Sequence, residues 1–220
     1  LPILSCDGHH LEQAHTHRFL GLIVDDRLQW TPQVDTLISC VSKQIGAFYR
    51  VRRCLSLPAR RSFYISVIQP DLMYASPAYQ SHLSAADLGR VERVGKSAIR
   101  AVVNAPPWAH TAPIFRRLTI VPYKQYCNVK LLAVIYRSLN GQCSSLLSSL
   151  FQARTRPTSG RLTRGVTFND LILPTIVRNT RLTSFTGAVL WNSLPASCKS
   201  SPSLFSFKVN VMKFFSQGTL

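Results

Sequence analysis

Thr31-Pro32, followed by Val34, Leu37, Ile38, Val41, Ile45 and Phe48, commits a long stretch of this chain to one helix. Apolar residues recurring at intervals of three and four form a single stripe at 3.6 residues per turn, which a strand cannot bury on one face. Proline suits the first helical position, where its missing N–H breaks no bond, and threonine is the expected N-cap. Arg50, Arg52 and Arg53 crowd the other end, where cations meet the negative pole of the helix dipole.

Similar reasoning carries down the chain. Ile3, Leu4 and Ser5 lead into Asp7-Gly8, a favoured two-residue hairpin turn, and the chain is expected to return through His10-Leu11. Phe19 to Val24 is an apolar run expected to form a short buried strand. A second helix is predicted from Pro58 to Gln69 on Phe63, Val67 and Ile68, with Pro70 breaking or kinking it. Ser84 with Asp87 three residues later predicts a capped third helix that buries Leu88, Val91, Ala98 and Val102. Pro106-Pro107 ends it and suggests a boundary at 104–112. Beyond lie a short helix over Ala112 to Leu118 and a longer one from Pro122 to Asn140, with Tyr126, Val129, Leu132, Ala133 and Tyr136 inward and Gly141 as its stop. Residues 152–166 are expected to form an exposed loop bearing Arg154, Arg156, Arg161 and Arg164. Helices over Thr180 to Leu190 and Phe205 to Phe215 flank a turn-rich break from Pro195 to Pro202. The expected fold is mainly α, a helical bundle with a C-terminal helical region and a short β remnant at the N-terminus.

An apolar fraction of 46% supports a real core, so charge is informative about partners rather than about disorder. Lys and Arg total 26 against 9 acids, a net of +17. The excess is uneven, because residues 93–220 contain a single acid, Asp170. Such a field selects polyanions, either nucleic acid or an anionic membrane surface. The longest clean apolar run, Leu131 to Tyr136, is far short of the roughly 20 residues of a spanning helix, so nucleic acid is preferred and no membrane partner is expected. Arg90, Arg93, Lys96 and Arg100 recur at intervals of three, three and four, on one side of the third helix, with only Glu92 for relief. An ordinary solvated face mixes signs, and this one is assigned to backbone phosphates. The six cysteines are scattered without a C-x-x-C pair, which fits a reducing, intracellular setting (cytoplasm and nucleus).

Phe19-Leu20-Gly21, then Asp25-Asp26 with Leu28 and Trp30, then a long helix ending in basic residues, resembles the palm-to-thumb junction of LINE-type (non-LTR) retrotransposon reverse transcriptases. Tyr64 through Ile68-Gln69-Pro70 and Tyr74 is similar to that family's second thumb helix. Thr111-Ala112-Pro113-Ile114-Phe115 with Leu118, and Trp191-Asn192-Ser193-Leu194-Pro195 followed by Phe207-Lys208, resemble its C-terminal region. The likeness lies in the ordered set over nearly the whole chain rather than in any one motif. It implies that residues 1–30 end a palm, 31–105 form a helical thumb and 106–220 a basic helical C-terminal region. The partners it implies are RNA, DNA or their hybrid, together with the missing palm and fingers. Phe19, Leu20 and Gly21 would shape a primer grip, and Arg50, Arg52 and Arg53 would join the four basic residues of the third helix on nucleic acid.

The same resemblance implies Mg²⁺ in the missing palm and no cofactor in this chain. Asp25-Asp26 lacks the aromatic residue that opens the family's catalytic turn, and only Asp7 and Glu12 precede it. A turn-and-cap role is expected for the pair, no catalytic residue is assigned, and the chain is not expected to polymerise alone. Cys6, His9, His10, His15 and His17 crowd together, but their spacing matches no closed zinc finger and no metal site is assigned. Two alternatives stand beside the polymerase fragment: a stand-alone, domesticated RNA- or DNA-binding protein without polymerase activity, and a non-functional relic.

Overall fold

The computed structural model describes residues 5–6, 9–10, 14–153, 170–174 and 183–217, and the chain is mainly helical as expected. The first strands, β1 (Ser5–Cys6) and β2 (His9–His10), pair antiparallel with Cys6 opposite His9. The intervening Asp7-Gly8 lies outside the described residues. A second hairpin follows, β3 (Thr16–Phe19) against β4 (Leu22–Asp25), with Phe19 opposite Leu22.

This second hairpin corrects one expectation. Phe19 to Val24 is not one buried strand, because the chain reverses at Leu20-Gly21, whose φ angles are 47° and 81°. Two consecutive positive φ values give the tight turn whose twist matches the flanking strands, and Gly21 adopts one of them without cost. Phe19 and Leu20 are therefore 62% and 76% exposed at the tip. An apolar run alone does not reveal where a turn interrupts it.

β4 rests on α1 (Thr31–Val51), where the Gln33 side-chain oxygen accepts the Ile23 amide at 2.8 Å. The predicted stripe is the buried face of α1: Val34, Leu37, Val41, Ile45 and Phe48 are buried and Ile38 is partly so. Thr31 is not its cap. Its hydroxyl donates to Asp87 at 3.1 Å, 56 residues away, while Asp25 accepts the amides of Gln29 and Trp30 just ahead of the helix.

The next helical run is continuous through its proline. Ser56 caps α2 (Leu57–Phe63), a wide π turn spans Tyr64–Ile68, and α3 (Gln69–Leu72) carries Pro70 near its start. Proline supplies no amide and crowds the carbonyl one turn back, and the π turn opens the ladder at that place instead of breaking the helix. After α4 (Ser76–Tyr79), α5 (Ala85–Val102) begins as predicted, with Ser84 Oγ accepting the Asp87 amide at 3.0 Å. Burial pushes the Tyr79 phenol up to about 12, and Tyr64 and Tyr123 in the same direction, so these core phenols stay neutral.

Pro106-Pro107 lies in a turn after α5, yet the packing does not divide there. Phe115 and Leu118 of α6 (Ala112–Leu118) and Ile120 join the first core, and Arg61 Nε donates to the Leu118 carbonyl at 2.8 Å. The cores meet inside α7 (Tyr123–Leu139). Tyr123 and Cys127 belong to the first cluster, while Val129, Leu132, Ile135 and Tyr136 belong to the second. Gly141 ends this helix at φ 68°, as expected, and the Gln142 amide returns to the Arg137 carbonyl at 2.8 Å.

Around the second core stand α8 (Ser145–Ser149), α9 (Thr183–Asn192), α10 (Ala196–Lys199) and α11 (Leu204–Gln217). The Phe207 ring stacks on Tyr136 and Trp191 at 4.6 and 5.6 Å. Asn192 takes both backbone groups of Leu171, accepting its amide at 2.7 Å and donating to its carbonyl at 3.0 Å. Beside it, Lys199 and Asp170 form a buried ion pair at 2.7 Å. The Trp191-Asn192-Ser193-Leu194 motif is thus a packing and clamping device. The basic loop of Arg154, Arg156, Arg161 and Arg164, and residues 180–182 of the predicted helix, lie outside the described residues. Among the described residues no helix is long and apolar enough to cross a membrane.

The α7–α9 crossing is close because Gly187 has no side chain: a Cβ there would lie 2.8 Å from Ile135 Cδ1 and 3.3 Å from the Phe151 ring. Gly187→Val is expected to lower stability by about 1–3 kcal/mol through overpacking. Gly46→Ala, in a helical site with nothing within 4 Å, is expected to raise it by about 0.5–1 kcal/mol. Urea unfolding of the two variants checks the contrast.

Candidate nucleic-acid interface

The four basic residues of α5 do not form one free row. Arg90 reaches from α5 to α1, its guanidinium held by Asp35 and, at 3.0 Å, by Asp87. The hydrogen bonds to Asp35 and then Asp87 raise its pKa further. Arg100 Nε donates to the Ala109 carbonyl at 2.8 Å and ties α5 to the turn after it. Lys96 pairs loosely with Glu92 at 3.7 Å across one helical turn. Arg93 is exposed and, among the described residues, bonds only the Gly89 carbonyl of its own helix, at 3.2 Å. The geometry therefore leaves Arg93, and Lys96 after a weak exchange, as the members of this row that an incoming phosphate reaches most readily.

The end of α1 is a second basic surface. Arg50 and Arg53 are exposed, and Arg52 lies over the Tyr49 ring with its guanidinium carbon 3.9 Å from the centroid. Sequence reading missed Arg60, which stands on α2 near the same corner. The signal for it was the absence of any acid between Asp35 and Asp71, an interval that holds Lys43, Arg50, Arg52, Arg53, Arg60 and Arg61.

The hairpin tip of Phe19, Leu20 and Gly21 is held from the helical unit. The Tyr74 hydroxyl donates to the Leu20 carbonyl at 2.8 Å, and its ring lies 3.4 Å from where a Cβ of Gly21 would be. This latch spans 54 residues of sequence and fixes an exposed apolar tip relative to α3. Lys130 makes a comparable tie, donating to the Met73 carbonyl at 2.7 Å, and burial lowers its pKa.

Every acidic side chain among the described residues is engaged within the fold. Asp26 meets His15 at 3.0 Å, Asp35 and Asp87 hold Arg90, Asp71 accepts from Gln44, Glu92 meets Lys96 and Asp170 is bound to Lys199. Asp25 accepts the Gln29 and Trp30 amides at 2.9 and 2.7 Å, the turn-and-cap geometry expected for the Asp25-Asp26 pair. Among the described residues no group of three His, Cys, Asp or Glu side chains is placed to hold a metal ion. Nothing is described of the side chains of Cys6, His9 and His10.

No family model, curated protein or solved structure matches this chain.

Asp25 offers a titration test. Burial pushes its carboxyl up, but hydrogen bonds from Gln29 and Trp30 outweigh that and hold it below the ordinary 3.8. A lowered folded value adds stability that is present above 3.8 and lost as pH falls through the folded value. Asp25→Asn is expected to cost about 1–2 kcal/mol at neutral pH, with the gap from wild type narrowing below pH 4. Thermal melts between neutral pH and pH 3 read it; a gap that widens with acid overturns the assignment.

Proposed function

We propose that this chain grips nucleic acid by its phosphate backbone, in the manner of the end of the palm, the thumb and the C-terminal region of a non-LTR retrotransposon reverse transcriptase. One observation carries the nucleic-acid part: every described acid is paired or hydrogen-bonded within the fold, so the exposed Arg50, Arg53 and Arg93 meet little free negative charge. Phosphate contacts need cations on rigid elements, and α1, α2 and α5 supply them from one shared core.

The polymerase part rests on the ordered residue resemblance. The Tyr74–Leu20 bond is consistent with it, because a primer-gripping hairpin must keep its place relative to the helices that follow. In this reading Mg²⁺ and the carboxylates that hold it belong to a palm outside residues 1–220, and Phe19, Leu20 and Gly21 border the primer end. Chemistry is left to that palm, and this chain contributes affinity and register.

Fluorescence anisotropy with an RNA–DNA primer–template tests the proposal. Affinity is expected to fall about 10³- to 10⁵-fold between about 50 and 200 mM salt, the change for roughly six to ten phosphate contacts. Arg93→Gln with Lys96→Gln is expected to weaken binding and flatten that dependence. No binding by folded, monodisperse protein overturns the reading.

A further inference from the structure

An apolar cleft lies between α6, the start of α7 and α11. Two helices line it with faces of the same make-up. On α6, Ala112, Phe115 and Arg116 stand at i, i+3 and i+4, so they share one side. On α11, Val209, Met212 and Lys213 repeat that spacing, two apolar residues and then a cation. Between them the chain leaves α6 through Thr119 at φ 54° and carries Ile120 and Pro122 across to α7. The cleft these elements enclose measures about 450 Å³.

Its surfaces are within reach of a ligand. Ala112, Arg116 and Lys213 are exposed and Pro122, Val209 and Met212 half-buried, over a nearly closed floor of Phe115 and Ile120. No described acid lines the cleft, and Lys213 pairs with no carboxylate among the described residues. An occupant must therefore be apolar along its body and anionic at one end. A nucleic-acid strand is charged at every phosphate and does not meet this requirement. The cleft is about three times the size of a cavity that holds a benzene ring, and within the range of small-molecule sites. A single alkyl chain ending in a carboxylate matches both its size and its charge.

We propose that this cleft binds a medium-chain fatty acid. The alkyl chain lies along Phe115, Ile120, Val209 and Met212, and the carboxylate sits at the mouth beside Lys213 and Arg116. The site shares no residue with the basic surfaces of α1 and α5, so it stands independently of the nucleic-acid function proposed above.

Isothermal titration calorimetry of the full chain with decanoate, octanoate and decanol, each below its micelle-forming concentration, tests the proposal. Decanoate is expected to bind at one site per chain, and octanoate, two methylenes shorter, about tenfold more weakly. Decanol keeps the chain and lacks the charge, and it is expected to bind about threefold to tenfold more weakly than decanoate. Lys213→Gln should weaken decanoate about threefold, and Arg116→Gln/Lys213→Gln about tenfold, with decanol unchanged in both. Lys43→Gln removes a charge from the exposed side of α1 and should leave decanoate binding as it is.

Ala112→Trp places a large ring in the cleft from an exposed position and is expected to abolish most of the binding of both decanoate and decanol. Ala112 and Lys213 lie outside the core, and thermal melting checks that their variants remain folded. No decanoate binding by wild type, binding without a one-to-one stoichiometry, or undiminished binding by folded Ala112→Trp overturns the cleft as a site. Equal affinities for decanoate and decanol, or equal losses in Lys43→Gln and Lys213→Gln, overturn the carboxylate seat and with it the fatty acid as occupant.

Discussion

Helix α7 is the constraint on which the rest of the structure depends. It is buried around most of its circumference, contributing Tyr123 and Cys127 to one core and Val129, Leu132, Ile135 and Tyr136 to the other. A helix apolar on so many sides is stable only with neighbours on several of them. The α1–α5 unit and the α9–α11 unit supply those neighbours, so neither core closes without the same rod. The lysine on this helix follows the same logic: Lys130 emerges where α3 ends and spends its charge on the Met73 carbonyl.

The electrostatics follow from that architecture. With few acids, the fold uses each described one as a structural part: Asp25 ahead of α1, Asp87 at the start of α5, Asp170 under Lys199. Such placement ties these carboxylates to partners within the fold, so little unpaired negative charge faces the exposed Arg50, Arg53 and Arg93. Self-repulsion among them destabilises the compact state, a cost that a polyanion would offset on binding. The same residues hold the body together and give it its field.

Much of the fold was legible because it depends on local periodicity and capping. The α1 stripe, the Ser84 cap and the Gly141 stop are written within one or two turns of sequence. What was hidden depends on distant partners or on backbone sign. Thr31 has the right chemistry for a cap, but Asp87, 56 residues on, takes its hydroxyl. Leu20 turns at positive φ, which an apolar run conceals. The spacing of Arg90, Arg93, Lys96 and Arg100 located one helix side, yet only tertiary contacts separate Arg90 and Arg100, which tie elements together, from the more accessible Arg93.

The most direct measurement is arginine-selective chemical footprinting, read by mass spectrometry, of the chain alone and with an RNA–DNA hybrid at low salt. The account predicts hybrid-dependent protection of Arg50, Arg53 and Arg93, which are exposed, and little change at Arg90 and Arg100, whose guanidiniums are already engaged. Equal modification of the first group with and without hybrid, while the hybrid remains bound, would contradict it.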